Sequence, residues 1–559
     1  MRFKPGFDTV KYLTVQKQAI QDRLSHFSGR LYLEFGGKLL SDFHATRTLP
    51  GYLPDAKLTL LKSLKKDLGI IYCVSAKQLS AGKIRGDLGI SYDIDTFRAL
   101  EVFKTHQLPV LGVVINRYQE ETETKILARR LKNLNIPVYF RREIANYPKN
   151  LKLILSPHGF GADDYIKTDK PLVVVWGAGP GSGKLSTCLS QIYLDAQHGI
   201  NSGYAKFETF PVWDLPLDHP VNIAYEAATA DLGDYNCIDS FHLRAYKKSV
   251  VNYNRDIEAF PIIRTIFNKI LHRDNFSRTY RSPTDMGFNV LSQGIIDHDI
   301  VSQAAKREVN FYLFRYRQEV KKGLLEKTVL DRMDQLLSRV GIDENFLPTV
   351  IPARQARHQA QSQPGKGENG VFCGAAIELK TGQIITGKNS PLLHAEASTI
   401  LNAIKFLAKI PDNVKLISPL VIKRINHLKD RIGESSRSLN CADLRRHICS
   451  SQAQDRHDHG NRHLQRDLAG RQDLEDVRRR VAARRHELLD VGDVIAVKVA
   501  RRVKCRPHRE RQVRGHGLVP QAQGYRALVK QEGRQEVDLL LASHRRQTHE
   551  HRGQRPHFS

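Results

Sequence analysis

A glycine-rich turn closed by a lysine is the feature of this sequence that most directly suggests chemistry. An apolar run at residues 171–177 leads into Ala-Gly-Pro-Gly-Ser-Gly-Lys at 178–184, and a helical pattern follows. Glycines let successive backbone N–H groups point into one concave nest, and the helix N-terminus adds partial positive charge. The pattern predicts a phosphate site made by Gly179, Gly181, Ser182, Gly183, Lys184 and Ser186.

The same loop departs from the nucleotide-hydrolysing P-loop pattern at two of its four fixed positions. Ala178 stands where the first glycine is expected, and Leu185 replaces the magnesium-binding hydroxyl. Ser186 or Thr187 could supply that hydroxyl only if the helix began later than usual. Three interpretations stay open: a true P-loop, a phosphate or anion site of another design, and a purely structural turn.

Acids, histidines and amides are dense over residues 201–300. Side chains of these types near a phosphate loop could bind Mg²⁺ or act as acid and base. The alternative is that most of them cap helices and hold turns. The predicted catalytic residues are Glu226, Asp231 and Arg255, with an acid that positions a metal or water; a nucleotide with Mg²⁺ is the cofactor considered, and no protein metal site is predicted.

The elements that must position these residues alternate between strand and helix patterns. Strands are predicted at 30–35, 69–75, 110–115, 136–140 and 173–176, and helices at 7–27, 55–67, 93–106 and 121–133. This alternation is typical of a parallel sheet covered by helices. Ligands bind beyond the carboxyl ends of such strands. The residues expected there are Lys38, Asn116, Arg117, His158, Gly159 and Lys184.

We predict an α/β fold with five segments. They are an N-terminal α/β domain (1–165), a P-loop-like α/β region (166–300), a helical segment of two antiparallel helices (301–350), a smaller C-terminal α/β subdomain (367–430) and an Arg/His-rich tail (431–559). The helical segment is expected to support the fold or an oligomer interface.

The C-terminal subdomain resembles the arrangement of cytidine deaminases, in which a two-stranded hairpin leads to a helix bearing His-x-Glu. Here those residues are His394 and Glu396. The resemblance implies a zinc-binding histidine and a proton-shuttling glutamate, completed by two cysteines in a Pro-Cys-x-x-Cys helix. Cys441 and Cys449 have the wrong spacing, so the sequence supplies one visible ligand and does not predict a zinc deaminase.

Composition limits the class of protein. Of 559 residues, 41% are apolar and 26% charged, which is typical of a soluble globular protein. A membrane span is not expected, because no stretch approaches about 18 apolar residues. Seven scattered cysteines and the lack of an apolar N-terminal segment favour reduced thiols and a cytoplasmic location.

The net charge of +28 is unevenly distributed. Residues 1–430 carry 25 Arg and 34 Lys, whereas residues 431–559 carry 25 Arg, 3 Lys and 11 His. The tail could be a nucleic-acid-binding arm, but it lacks stacking aromatics and a binding motif. It could instead be a disordered solvated segment. We favour a third hypothesis, that it is translated out of the ancestral frame and has no function.

Several longer strings give the body a family resemblance. They include residues 33–38 (LEFGGK), 204–213 (YAKFETFPVW), 225–231 (YEAATAD) and 282–287 (SPTDMG). Residues 1–430 resemble the bacterial family called domain of unknown function 1846, or uncharacterised protein family 0371, and the tail does not. The resemblance implies an α/β region with a P-loop-like element, a helical insert and a deaminase-like subdomain. It implies no established activity and no catalytic residues.

These observations predict a protein that binds a nucleotide or another phosphorylated small molecule at residues 177–187. Whether it is an enzyme is left open. A homo-oligomer is a candidate assembly, and one alternative is accordingly a non-catalytic oligomeric scaffold. Nucleic-acid binding through the tail is the second alternative, and nucleic acid is not the expected partner.

Overall fold

A computed structural model describes residues 4–85, 88–379, 381–417, 419–431 and 438–440. The predicted disordered or out-of-frame tail therefore lies almost wholly outside the described residues. The strands are β1 (Leu31–Phe35), β2 (Leu68–Ser75), β3 (Val110–Tyr118), β4 (Val138–Arg142), β5 (Leu172–Gly177), β6 (Gly203–Phe207), β7 (Asn236–Ile238), β8 (Val251–Tyr253), β9 (Gly287–Phe288), β10 (Gly374–Glu378) and β11 (Ile384–Lys388).

Helices connect these strands and cover the sheet. They are α1 (Thr9–Leu24), α2 (Phe43–Thr48), α3 (Ala56–Ser63), α4 (Ala76–Ser80), α5 (Tyr92–Thr105), α6 (Thr122–Asn133), α7 (Leu151–Ile154), α8 (Lys184–Gln197), α9 (Pro220–Ala228), α10 (Ser240–Tyr246), α11 (Asn254–Ile270), α12 (His298–Lys321), α13 (Thr328–Val340), α14 (Val350–Ser362), α15 (Ala395–Ala408) and α16 (Pro419–Arg431).

Seven strands form one parallel sheet in the order β4-β3-β2-β5-β1-β6-β9. Strands β1, β2, β5 and β6 are buried along their whole length, as expected for a parallel sheet covered on both faces. The predicted parallel α/β architecture is confirmed. The sheet takes strands from both predicted segments, 1–165 and 166–300.

Alternation along each strand divides its side chains between two cores. Leu31, Leu33 and Phe35 of β1 join apolar residues of α3, α5 and α6 on one face. Tyr32 of β1 and Tyr204 of β6 pack with α8 and α11 on the other. Glu34 and Lys206 follow those tyrosines by two positions, so they belong to the α8/α11 face.

Two topological switch points follow from the strand order. The chain leaves β2 toward β3 but leaves the neighbouring β5 toward β6, on the other side. It likewise leaves β1 toward β2 and the neighbouring β6 toward β9. At such points the connections diverge and open a crevice at the carboxyl ends of the strands, where ligands bind in this class of fold.

A separate helical layer lies beside the sheet. Helices α12 and α13 occupy most of the predicted helical segment and pack with α9 around a third core that includes Tyr312, Leu313, Met333 and Leu336. The layer places side chains of α13 opposite Glu226 on α9.

The C-terminal unit contains the antiparallel hairpin β10–β11, packed against α14 and α15. His394 precedes α15, and its backbone N–H donates to the carbonyl of Leu439 (2.8 Å). Glu396 lies in the first turn of α15. A hairpin leading to a helix matches the prediction locally, but a deaminase-like topology stays a prediction; Cys441 and Cys449 lie outside the described residues.

In the described part of the chain, no helix combines the length and apolar character needed to cross a bilayer. The cytoplasmic location stays a prediction.

Candidate functional site

The glycine loop connects β5 to α8 at the first switch point. Strand β5 ends at Gly177, and α8 begins at Lys184. Gly181 and Gly183 have φ angles of +74° and +90°, a region that side-chain-bearing residues rarely adopt. The predicted strand, loop and helix are thus all present.

Neighbouring elements hold the loop in place. The side-chain amide of Asn116, at the end of β3, donates to the carbonyl of Ser182 (2.9 Å), and that of Gln78 on α4 donates to the carbonyl of Pro180 (2.8 Å). A Cβ atom on Gly183 would lie 2.5 Å from the Asn116 side chain. The loop is therefore a packed structure whose shape depends on glycine at position 183.

Two cations lie at the base of this loop. Lys184 is half-buried, and no hydrogen bond or ion pair joins its ammonium group to another described residue. Arg141 on β4 is buried and pairs with Asp163 (2.7 Å) while also donating to Asn116 (2.9 Å) and Ser186 (3.0 Å). Because Asp163 offsets the Arg141 charge, Lys184 is the cation more readily offered to an anion.

The same cations affect a nearby thiol. Burial raises the pKa of Cys73 to about 11, while Thr187, Lys184 and Arg141 act to lower it. The electrostatic effect of Lys184 thus extends to the carboxyl end of β2.

The hydroxyl groups at the start of α8 already have partners. The hydroxyls of Ser186 and Thr187 both donate to the carbonyl of Gly183, at 3.1 and 2.9 Å. The Ser182 hydroxyl is fully buried and has no hydrogen-bond partner in the described part of the chain. The arrangement differs from a P-loop, in which a hydroxyl directly after the lysine binds magnesium; a P-loop stays a prediction.

A second polar cluster lies at the carboxyl ends of β1 and β6. The ammonium group of Lys206 lies 2.6 and 2.7 Å from the two carboxylate oxygens of Asp256, and 3.0 Å from Glu208. The Tyr253 hydroxyl donates to Glu208 (3.0 Å), and the Tyr204 hydroxyl donates to Glu34 (2.7 Å). We call these six residues the Lys206 cluster.

Burial and charge shift the protonation equilibria of this cluster. Burial raises the pKa of Glu208 to about 7, although Lys206 opposes the shift. Burial also raises the pKa of Asp256, again against Lys206. The surrounding carboxylates hold the pKa of Lys206 well above its usual value despite burial. A lysine that stays charged beside carboxyl groups that resist ionisation is typical of an active site, and also of a structural ion-pair network.

The predicted catalytic residue Glu226 lies elsewhere, between α9 and α13. Its carboxylate is buried and forms ion pairs with Arg332 (3.4 Å) and Arg339 (3.3 Å). These three side chains line a cavity of about 660 Å³ together with Asp218 and Asp331. Among the described residues, no hydrogen bond or ion pair joins Glu226 to the glycine loop, so its catalytic role stays a prediction.

Neither Asp231 nor Arg255 belongs to the lining of this cavity. Asp231 accepts a hydrogen bond from the Tyr316 hydroxyl (3.1 Å). Arg255 pairs with Asp234 (2.5 Å), whose backbone carbonyl also accepts from Arg332. Contacts to α12 and to the turn before β7 satisfy both side chains, which agrees with the alternative that they hold local structure.

Of the residues expected at the carboxyl edge, Asn116 contacts the glycine loop directly. Arg117 instead pairs with Glu143 at the surface (2.6 Å). His158 and Gly159 lie between α7 and a short 3₁₀ helix, and Lys38 follows β1.

Sequence reasoning missed most of the Lys206 cluster as a site. Its members are distant in sequence and come together only through strand pairing and the start of α11. Two signals were present. Glu34 and Lys206 are charged residues inside otherwise apolar strands, where an unpaired charge would be costly.

Fold and site together define a doubly wound α/β protein whose polar groups gather at the carboxyl edge of a parallel sheet. Comparison with known proteins then identifies the family. The profile of the N-terminal domain of unknown function DUF1846 matches residues 5–341, and that of its C-terminal domain matches residues 345–458. The chain belongs to the domain of unknown function 1846 family, also called uncharacterised protein family 0371.

Individual relatives agree with this assignment. A UPF0371 protein of Clostridium botulinum (strain Eklund 17B / Type B) is 45% identical over 442 residues, which cover 79% of this chain and 87% of the relative. A UPF0371 protein of Clostridium tetani is 44% identical with the same coverage. The match to the C-terminal profile ends at residue 458 and so includes the first residues of the Arg/His-rich segment.

Proposed function

We propose that this protein binds a phosphorylated small molecule, with a nucleotide as the first candidate, at residues 177–187. The observation that supports the proposal most is the pairing of the glycine loop with Lys184, whose ammonium group has no ion-pair partner among the described residues. Backbone N–H groups at a helix N-terminus together with a lysine form a common phosphate site.

The position of the loop supports the proposal independently. It lies where the connections from β2 and β5 diverge, which is the usual ligand position in an open α/β sheet. Asn116 and Gln78 hold the loop backbone, so little ordering is needed when an anion binds. Because Ser186 and Thr187 donate to Gly183, we propose a phosphate site of its own design in preference to an NTP-hydrolysing P-loop.

Calorimetric titration of the full chain with inorganic phosphate and with ATP plus Mg²⁺ tests this function. Lys184→Ala is expected to weaken phosphate binding about 10- to 100-fold, because one charge-assisted hydrogen bond is lost. Lys132→Ala is the matched control. Lys132 is exposed and lies in the last turn of α6, and this helix runs from the carboxyl edge of the sheet toward the opposite edge.

Each titration has a clear reading. Phosphate binding that is lost in Lys184→Ala and kept in Lys132→Ala supports the proposal. Stronger binding of ATP than of phosphate favours a nucleotide over a simpler phosphorylated molecule. Equal phosphate affinity in all three folded proteins, or no binding of either ligand, contradicts the proposal.

A further inference from the structure

We infer that the carboxyl ends of β1 and β6 form an acid–base centre, in which Glu208 exchanges a proton with the ligand whose phosphate group the glycine loop binds. The identity of the ligand rests on the proposed function. The centre itself rests on the geometry of the Lys206 cluster.

The Lys206 cluster contains more acidic groups than cations. Glu34, Glu208 and Asp256 contribute three carboxylates, and among the described residues Lys206 is the only cation in contact with Glu208 and Asp256. The tyrosines of the cluster are neutral, because burial raises the pKa of Tyr253 and of Tyr204 well above the usual value. With all three carboxylates ionised the cluster would carry two uncompensated negative charges, which is costly in a poorly solvated place.

A proton can relieve this excess of negative charge. No group of three or more His, Cys, Asp or Glu side chains in the described ranges has an arrangement suited to holding a metal. A carboxyl group that takes up a proton removes one negative charge and can still accept and donate hydrogen bonds. Carboxyl groups that share a site commonly respond in this way.

Position singles out Glu208 among the carboxyl groups that border Lys206. The side chains of Glu208 and Asp256 are similarly accessible, at 15% and 14% exposed, but Glu208 directly follows the last residue of β6 and so lies at the rim of the sheet. Gly36 faces it from β1, and a Cβ atom there would come within 2.9 Å of a Glu208 carboxylate oxygen. Glycine at position 36 therefore lets the Glu208 side chain pack directly against the backbone that follows β1.

The charged and titratable groups around Glu208 come from five elements. They are Lys206 on β6, Glu34 on β1, Tyr253 at the end of β8, Asp256 on α11 and Tyr225 on α9. Burial together with Asp256 and Glu34 raises the pKa of Glu208, and Lys206 lowers it. The value of about 7 leaves both forms of the carboxyl group populated near neutral pH, as a general acid–base group requires.

The glycine loop and the Lys206 cluster belong to the same edge of the sheet. Only β1 separates β5 from β6, so two strand spacings, about 10 Å, separate their ends. Both sites face α8. The pKa of Cys188 on this helix is raised mainly by burial and further by Glu34 of the Lys206 cluster, whereas Lys184 of the glycine loop lowers it. The ligand class is therefore a phosphorylated molecule with an ionisable X–H group about 10 Å from its phosphorus.

The inferred step is the transfer of one proton between the ligand and Glu208. The Glu208 carboxylate takes the proton of the X–H group, the X–H bond breaks, and its electron pair stays on X. The Lys206 ammonium group next to Glu208 offsets the negative charge on X. The reverse transfer returns the proton to the product and restores the carboxylate.

Carbodiimide labelling of the full chain, followed by mass spectrometry, tests the centre without knowledge of the ligand. Carbodiimides react with protonated carboxyl groups, and the adduct at Glu208, or its amide cross-link to Lys206, is quantified from pH 5 to 9. We expect half-maximal labelling near pH 7 and about a tenfold fall for each further pH unit. The peptide that carries the exposed Glu101 is the internal reference, and Glu208→Gln must lose the signal.

Two results would overturn the inference. One is labelling of Glu208 with the same pH dependence as Glu101. The other is no labelling of Glu208 at any pH while Glu101 reacts, because a substrate could not then reach the carboxyl group. The Lys184→Ala variant separates the two proposals: loss of phosphate binding with an unchanged Glu208 profile supports both, whereas unchanged phosphate binding contradicts the proposed function alone.

Discussion

The two switch points of this sheet use opposite kinds of chemistry. The glycine loop offers backbone N–H groups and Lys184, with the nearby Arg141 charge offset by Asp163. The Lys206 cluster gathers three carboxylates around one ammonium group. The switch point at the glycine loop thus suits an anion, and the switch point at the Lys206 cluster suits a proton or a hydrogen-bond donor. A fold of this class provides the positions, and the side chains decide what each position can do.

The comparison predicts that removing the central cation of the Lys206 cluster has the largest effect. Lys206→Met should destabilise the fold by about 3–5 kcal/mol at pH 8, because it leaves buried carboxylates without their partner. The loss should shrink at pH 5, because Glu208, whose pKa is raised to about 7, is then protonated. Denaturant unfolding at both pH values measures the difference, and an equal loss at both would show that electrostatics is not the cause.

The glycine loop should respond to shape more than to charge. In Gly183→Ala the new Cβ would meet the Asn116 side chain at 2.5 Å, and the residue would keep a φ angle of +90°. We expect a loss of about 1–3 kcal/mol in the free energy of unfolding and much weaker phosphate binding. Gly199→Ala is the control, since it has a similar φ of +71° with nothing within 4 Å of the added atom. Equal losses in the two variants would contradict the packing argument.

The Lys206 cluster should also give the fold a characteristic pH dependence. Glu208 has a raised pKa of about 7 in the folded state, so the folded chain keeps a proton that the unfolded chain loses from about pH 4.5 upward. Its contribution is favourable below that range and is lost as the pH rises to 7. The free energy of unfolding of Glu208→Gln should therefore exceed that of the wild type by roughly 1–3 kcal/mol between pH 5 and 8. Parallel stability curves would contradict the raised pKa.

The smallest expected effect concerns the cavity between α9 and α13. Glu226→Gln removes the charge that pairs with Arg332 and Arg339, and we expect a loss of about 1–2 kcal/mol with unchanged phosphate affinity. Thermal unfolding and calorimetry on the same sample measure both quantities. Loss of phosphate binding with unchanged stability would instead favour the predicted catalytic role.

The sequence pattern predicts most strands of the sheet but fewer of the polar contacts at its carboxyl edge. Predicted strands at 30–35, 69–75 and 110–115 match β1, β2 and β3 closely, because buried parallel strands are continuous apolar runs. The glycine loop was also recognisable, since its residues are adjacent in the chain. These features depend on local pattern alone.

The Lys206 cluster could not be recognised in the same way. Lys206 and Asp256 lie 50 positions apart, and Glu34 is brought to them by the pairing of β1 with β6. Glu226 was predicted as a catalytic residue because it is an acid among polar neighbours. Its partners come from α13, more than 100 positions later. Long-range pairing decides which acids meet a cation, and a single sequence does not display it.

A crystal structure of the full chain grown with phosphate would test the central claim most directly. We predict phosphate density against the backbone N–H groups of Gly179 and of residues 181–184, with an oxygen within about 3 Å of the Lys184 ammonium nitrogen. Phosphate bound instead to Arg332 and Arg339, with an empty glycine loop, would contradict the assignment of the anion site to this edge of the sheet.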